Sequence, residues 1–488
     1  MRTRDKKLRK IIYRSKLRTL RERRQHKGGR HKKKLIFKHP DAHGNLPIPR
    51  RFRKKKYNRP YKKKDQYAAR KRSEYFQKYL PEILEYVLKH EDSPININKI
   101  KKLEIETDGH IFLPQHFSII ENPEQSYRTF QEVVSAMFLE GAQWLTIDYS
   151  GCNHIDISTQ TFLDLLLIDF TKYRDKCEKL SGLKDIYPHI RGIGLNNVAL
   201  RKMIFSVGSP VNLGIGRRAY PDLLPYHLTI HKNDPTLDYL ERIEQKELDT
   251  SDLADYVIDS LRRMKRTLTP EKRDDLCTVI GEILINAEEH STTRYRFSQG
   301  YFVEDNTDGK HSGVFRLVIL NFGDTIYEKF ASPNCPNKDI VKTMKNLSKK
   351  YTDRLFFKKG EFEEECLWTL YALQEGVTSI STQDYKRGNG SIRFIDSFFN
   401  IKGTPEVDDV SVMTITSGHT QILFNGRYGI ETKVNQKGEN YKVMTFNESG
   451  NIVDKPDSQF VRYCEHYFPG TMITAKILLN DDDLKTLQ

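Results

Sequence analysis

The sequence predicts an α/β (α+β) body behind a basic N-terminal arm. Three observations carry that expectation. Strand-like and helix-like periods alternate from about residue 100 onward. Charge is divided sharply along the chain. And 488 residues exceed what one common core organises, so two or three domains are expected.

The arm comes first. Residues 1–80 carry 32 Lys+Arg against 5 Asp+Glu, a net of +27, while the whole chain is +16, so the remainder is −11. Such a split concerns partners rather than fold. Tyr13, Phe37, Phe52, Tyr57 and Tyr61 lie among the basic residues of 1–75. Cations interleaved with aromatic faces suit a phosphate backbone and unstacked bases, so nucleic acid, RNA or DNA, is the expected partner of residues 1–75. An acidic membrane surface, a solvated tail and an acidic protein partner are the competing readings. The arm has no clean amphipathic period and no Trp, which disfavours a membrane helix. Residues 65–90 read as a helix, and 76–99 as a helical connector.

No apolar run approaches the roughly 20 residues that span a bilayer. The best, "TFLDLLLIDF" (161–170), is broken by Asp164 and Asp169. The charged N-terminal segment shows no secretory signal. The six cysteines form no C-x-x-C pair, which argues against a zinc knuckle or a disulfide framework and fits a reducing compartment. A cytoplasmic protein with no membrane partner is expected.

In residues 100–235, "KKLEIET" and "GHIFLPQ" read as a hairpin pair. "PEQSYRTFQEVVSAMFLEG" reads as an amphipathic helix with Phe130, Val133, Val134, Met137 and Phe138 at helical spacing. "QWLTIDYSG" is a buried strand, and "STQTFLDLLLIDFTKYRDKC" a helix capped by Ser158 or Thr159. "IRGIGLNN" and "VALRKMIFSVG" add a strand and a helix. Together, "WLTIDYSGCNHIDISTQTFLDLLL" and "IRGIGLNNVALRKMIFSVG" resemble a STAS domain, the fold of anti-sigma-factor antagonists. That resemblance implies a protein partner at this segment, and a phosphoacceptor near Ser158 or Thr159; the plainer reading is that both only cap the helix.

Residues 236–488 form the last segment, entered through connecting helices. Thr269-Pro270 opens a helix through "GEILINAEEHS", with Leu276, Val279, Ile280, Ile283, Leu284 and Ala287 on one face. Glu282 and Asn286 lie at the rim of that stripe; both are oxygen donors suited to a hard cation or a water. "GVFRLVILNFGDTIYE" is a buried strand that breaks at Asn321-Phe322-Gly323. "RGNG" places glycines at the mouth of a helix, where backbone N–H groups approach phosphate. "FPGTMITAKILL" is a Gly-Thr turn into a last strand. An inserted hairpin is expected at about 426–465, with no chemistry assigned to it.

These pieces, in this order, resemble the GHKL ATPases, the fold of histidine kinases, gyrase-type ATPases and MutL. The resemblance implies a Bergerat-type two-layer α/β sandwich that binds ATP and Mg. It implies that Glu282 is catalytic, orienting or deprotonating the attacking group, and that Asn286 binds the Mg. Asn321, Gly323 and Thr325 match the first glycine box, with Asn in place of its Asp and Thr in place of its second glycine. Gly388, Asn389 and Gly390 match the second, and Thr471 the terminal Gly-Thr. Three functions stay open: a nucleotide-driven ATPase or switch acting on nucleic acid, possible in bacterial stress signalling or phage defence; an anti-sigma-type serine/threonine kinase; and a degenerate scaffold. A homodimer is compatible with each.

Overall fold

The computed structural model describes Tyr67, residues 70–72, 74–75 and 78–480, apart from 266, 290, 306–311, 353–360, 380–390, 397–410, 435–437 and 439. Contacts divide the chain into Met1–Tyr67 and Ala68–Gln488. The arm readings, apart from its last residues, therefore lie outside the described residues. Residues 70–75, counted above with the arm, belong to the second unit. There Arg72 donates to the Ile186 carbonyl at 3.2 Å.

The helix expected over 65–90 is interrupted. Pro81 disfavours helix at the residue before it, and a new helix, α1 (Glu85–Lys89), starts only beyond the turn. The expected hairpin at 101–115 is not formed. Asn96 caps α2 (Ile97–Leu103), accepting from the amides of Asn98 and Lys99, and Ile97 and Ile100 are buried. So "KKL" is helical, and Glu104 then turns left-handed at φ 48°. "GHIF" is strand β1 (His110–Phe112), but its partner is parallel and lies further along the chain.

After β2 (His116–Phe117) comes α3 (Pro123–Phe138), which buries the expected apolar stripe. Each such side chain contributes roughly 1.5–3 kcal/mol. Strands β3 (Trp144–Asp148), β4 (His154–Ile155) and β5 (His189–Ile193) frame α4 (Ile157–Ser181). β1, β3 and β5 make one parallel sheet, and β2 and β4 a second, shorter one. Helices α5 (Val198–Val207) and α6 (Ser209–Asn212) close this part.

The cap of α4 is Asp156, not Ser158 or Thr159. Its carboxylate accepts from the Thr159 amide at 2.7 Å and from both hydroxyls. Ser158 and Thr159 are fully buried. The two acids that break the apolar run are buried as well. Asp164 accepts from Gln160, Ser209 and Asn212 at 2.7, 2.5 and 2.6 Å. Asp169 accepts from the amides of Ile83 and Leu84 at 2.8 and 2.9 Å.

The second half is built on an antiparallel five-stranded sheet, ordered β6 (Leu223–Lys232), β7 (Tyr295–Asp305), β8 (Ser312–Phe322), β12 (Val461–Asn480) and β9 (Val412–Phe424). One face carries Phe302, Leu317, Ile319, Ile415 and Ile473 under α7 (Tyr239–Arg263), α8 (Pro270–Glu289) and α11 (Glu364–Ala372). The connecting helices expected from 236 onward are thus a single helix, α7, followed by α8. Between the strands lie α9 (Ile326–Ala331) and α10 (Lys338–Thr352). The insertion holds a hairpin, β10 (Glu431–Val434) against β11 (Asn440–Val443).

The other face is covered too. Phe297, Val318, Leu320, Phe322, Phe468 and Met472 share a core with α3 and α4. The Phe162 ring meets Phe322 at 5.7 Å and Phe468 at 6.1 Å. Residue 235 is therefore no break in packing. β6, read with the first segment, is the edge strand of the five-stranded sheet, and the expected two layers carry a third. Among the described residues, no helix is long and apolar enough to cross a membrane.

Burial pushes the Asp164 carboxyl up to about 7, against the pull of Ser209, Asn212 and Gln160. The folded chain then holds a proton that the unfolded chain releases, so this group's stabilisation is full below the ordinary value of 3.8 and is lost as pH rises toward about 7. Urea unfolding between pH 4.5 and 7.5 should show a decline in wild type, relative to Asp164→Asn, of about 1.4 kcal/mol per pH unit crossed. Parallel slopes for the two proteins would refute it.

Candidate nucleotide site

The sheet register builds a polar row across all five strands. His231 stands opposite Arg296, Arg296 opposite Asn321, Asn321 opposite Thr471, and Thr471 opposite Ser417. His231, Arg296, Asn321 and Ser417 are buried. Polar groups in such a place need partners, and α7 and α8 supply them at one end. Asp249 Oδ2 lies 2.8 Å from His231 Nδ1 and 2.7 Å from Arg296 Nη2. Glu288 faces Lys246 Nζ at 3.0 Å, His231 Nε2 at 3.5 Å and Arg296 Nε at 4.0 Å. Burial pushes the Asp249 carboxyl up, but the His231 hydrogen bond and the Arg296 charge outweigh it and hold it below the usual carboxylate value. Sequence reading missed this cluster. Glu288 sits in the quoted helix motif, but nothing in the sequence pairs it with Arg296.

At the other end, Thr471 Oγ1 lies 3.0 Å from Ser417 Oγ, and Ser417 Oγ accepts from the Ile326 amide at 3.0 Å. The two glycines flanking the row are set by close approach. Gly323 has φ +142°, and a side chain there would overlap the Thr292 amide. Gly470 has φ +147°, and a side chain there would overlap the Asn321 carbonyl. Thr325 is buried as the N-cap of α9. It accepts from the Glu328 amide at 3.1 Å while the Glu328 carboxylate accepts from its own at 2.7 Å. Its hydroxyl is committed to that capping box, a role the sequence reading did not give it.

Helix α8 packs on β7 and β8 with the expected stripe inward. Glu282 and Asn286, one turn apart, are half-buried at its rim. Glu282 Oε1 accepts from Arg393 Nη1 at 3.1 Å. Gly388, Asn389 and Gly390 lie outside the described residues, as does His290; the nearest described segment is the helical turn 391–396 that holds Arg393. Glu282 Oε2 and Asn321 Nδ2 are buried with no hydrogen-bond partner among the described residues. An unpaired buried polar atom costs about 1–3 kcal/mol. One of these atoms can accept from a water, and the other can donate to a ring nitrogen.

Comparison with protein-family models, with curated proteins and with solved structures finds no match.

Arg296→Met should cost about 3–5 kcal/mol, because it leaves the buried Glu288 and the half-buried Asp249 beside less positive charge. The denaturant midpoint checks this; an unchanged midpoint would mean the carboxylates find water instead.

Proposed function

We propose that the chain is a Mg-ATP-binding protein of GHKL type, an ATPase or nucleotide-driven switch that engages nucleic acid through its basic arm. The observation that carries the reading is the 3.1 Å contact between Glu282 and Arg393, residues 111 apart in sequence. It brings the residue three positions past Gly390 onto the helix of Glu282 and Asn286. Two of the unpartnered buried polar atoms, Glu282 Oε2 and Asn321 Nδ2, add support, because one belongs to the residue that the resemblance makes catalytic and the other to a residue that it assigns to the base.

In this reading Glu282 orients the attacking water through its unpaired oxygen while Arg393 holds the other. Asn286 would hold the Mg, and Asn321 would donate to the base from the sheet. Asn321 is neutral where the family carries Asp, so its contact lacks charge assistance. Gly323 and Gly470 keep the backbone close on either side of Asn321. Bound Mg-ATP would supply the transferable phosphoryl group and a cation to offset its charge.

The kinase alternative needs an accessible hydroxyl, and Ser158 and Thr159 are fully buried and bonded to Asp156. Incubation with labelled ATP is therefore expected to release free phosphate. Label on Ser158 or Thr159 would favour the kinase, and neither outcome would favour a scaffold. Glu282→Ala should lower hydrolysis by about 100-fold or more and leave nucleotide binding nearly unchanged; surviving turnover would refute the role of Glu282. Deleting residues 1–66 should remove salt-sensitive binding of RNA or DNA; unchanged binding would move that activity to the body.

A further inference from the structure

We propose that His116, Glu121 and His154 form a binding site for a divalent transition metal, with zinc the best match. The site is independent of the nucleotide reading. His116 and His154 stand directly opposite each other in the two-residue parallel ladder of β2 and β4. Their rings stack at 4.5 Å with 27° between planes. Glu121 Oε2 lies 2.6 Å from His116 Nε2. One ligand atom from each residue lies within 4.8 Å of the others. Tetrahedral zinc, with bonds of about 2.0–2.1 Å, needs donor atoms roughly 3.3 Å apart. Small side-chain rotations close that gap.

The local backbone holds this arrangement in place. The turn 118–122 folds Glu121 back over β2. Ser118, fully buried, accepts from the Glu121 amide at 3.0 Å through its hydroxyl, and from the Asn122 amide at 2.9 Å through its carbonyl. Asn122 Nδ2 then donates to the His116 carbonyl at 2.8 Å. A residue five positions past His116 is thereby returned to its ring. The surroundings are mixed in charge, with Asp156 and Lys476 both near His154.

The donor set decides the class of ion. Two imidazoles and one carboxylate suit zinc and its neighbours rather than Mg or Ca, which prefer all-oxygen shells. Three protein ligands leave a fourth position open, and both His116 and Glu121 reach solvent, so water or a partner's donor can complete the shell. A ladder of two residues is short for a stable pairing. A metal bridging its two strands would clamp β4, and the Asp156 cap that follows it, to the turn after β2.

The test uses the full chain, stripped with a chelator and titrated with Zn²⁺ against a chromogenic competitor. Wild type should hold one Zn²⁺ per chain that His116→Asn/His154→Asn loses and Glu121→Gln weakens. The paired variant also sets aside ions held by the arm's own His26, His31, His39 and His43. Co²⁺ gives a second readout, a visible absorption band in wild type that the paired variant lacks. Circular dichroism checks that the variants fold; should the paired variant not fold, Glu121→Gln and each single His→Asn variant decide by the same two readouts. No stoichiometric Zn²⁺ in wild type, or equal Zn²⁺ affinity and an equal Co²⁺ band in the variants, overturns the proposal.

Discussion

The antiparallel ladder between β8 and β12 runs without a bulge from Ser312 opposite Asn480 to Phe322 opposite Gly470. The rest of the structure depends on that register. It joins segments about 150 residues apart. It sets Asn321 against Thr471, and it forces Gly470 into a conformation that spares the Asn321 carbonyl. A slip of one residue would send Asn321 to the opposite face and Phe322 into the polar row. Registers are strongly specified only where a face is buried, and here both faces are.

Double burial explains why the row is so well furnished with charge. A sheet with one wet face could leave His231 and Arg296 to solvent. This one cannot, because α7, α8 and α11 cover that face while α3 and α4 cover the other. Asp249 and Glu288 offset the Arg296 charge from α7 and α8, and the row becomes less charged toward Ser417. The unpaired Asn321 amide sits where that change occurs.

What was legible in the sequence followed periodicity. The stripe of α8 and the Phe130-to-Phe138 face of α3 could be read because burial follows helical spacing within one element. What was not legible depended on distant partners. "KKLEIET" looks like strand until Asn96 is seen to cap a helix through it. Asp164 and Asp169 look like interruptions until Ser209, Asn212, Ile83 and Leu84 arrive from elsewhere. Thr325 looked like a substituted glycine and is a cap, although its S/T-x-x-E pattern with Glu328 was there to read. His116, Glu121 and His154 converge only because two short strands pair in parallel, which no local pattern announces. Of the candidate nucleotide site, Glu282, Asn286, Asn321 and Thr471 had local motifs; the pairing of Asn321 with Thr471 had none, nor did Arg393 and Glu288.

Asp169 has a mechanical consequence. Its carboxylate grips two successive backbone amides, Ile83 and Leu84, just after the chain enters the body, and Arg72 is fastened to the Ile186 carbonyl upstream. Tension arriving along the chain from the N-terminal side is borne first at Arg72 and then at the middle of α4. It loads a long buried helix and, through Glu82, one edge of the five-stranded sheet, because Glu82 accepts from Lys232 of β6 at 2.6 Å and from the Tyr295 hydroxyl of β7 at 2.7 Å. A tug on the arm is thus shared between α4 and the strands at the His231 end of the polar row.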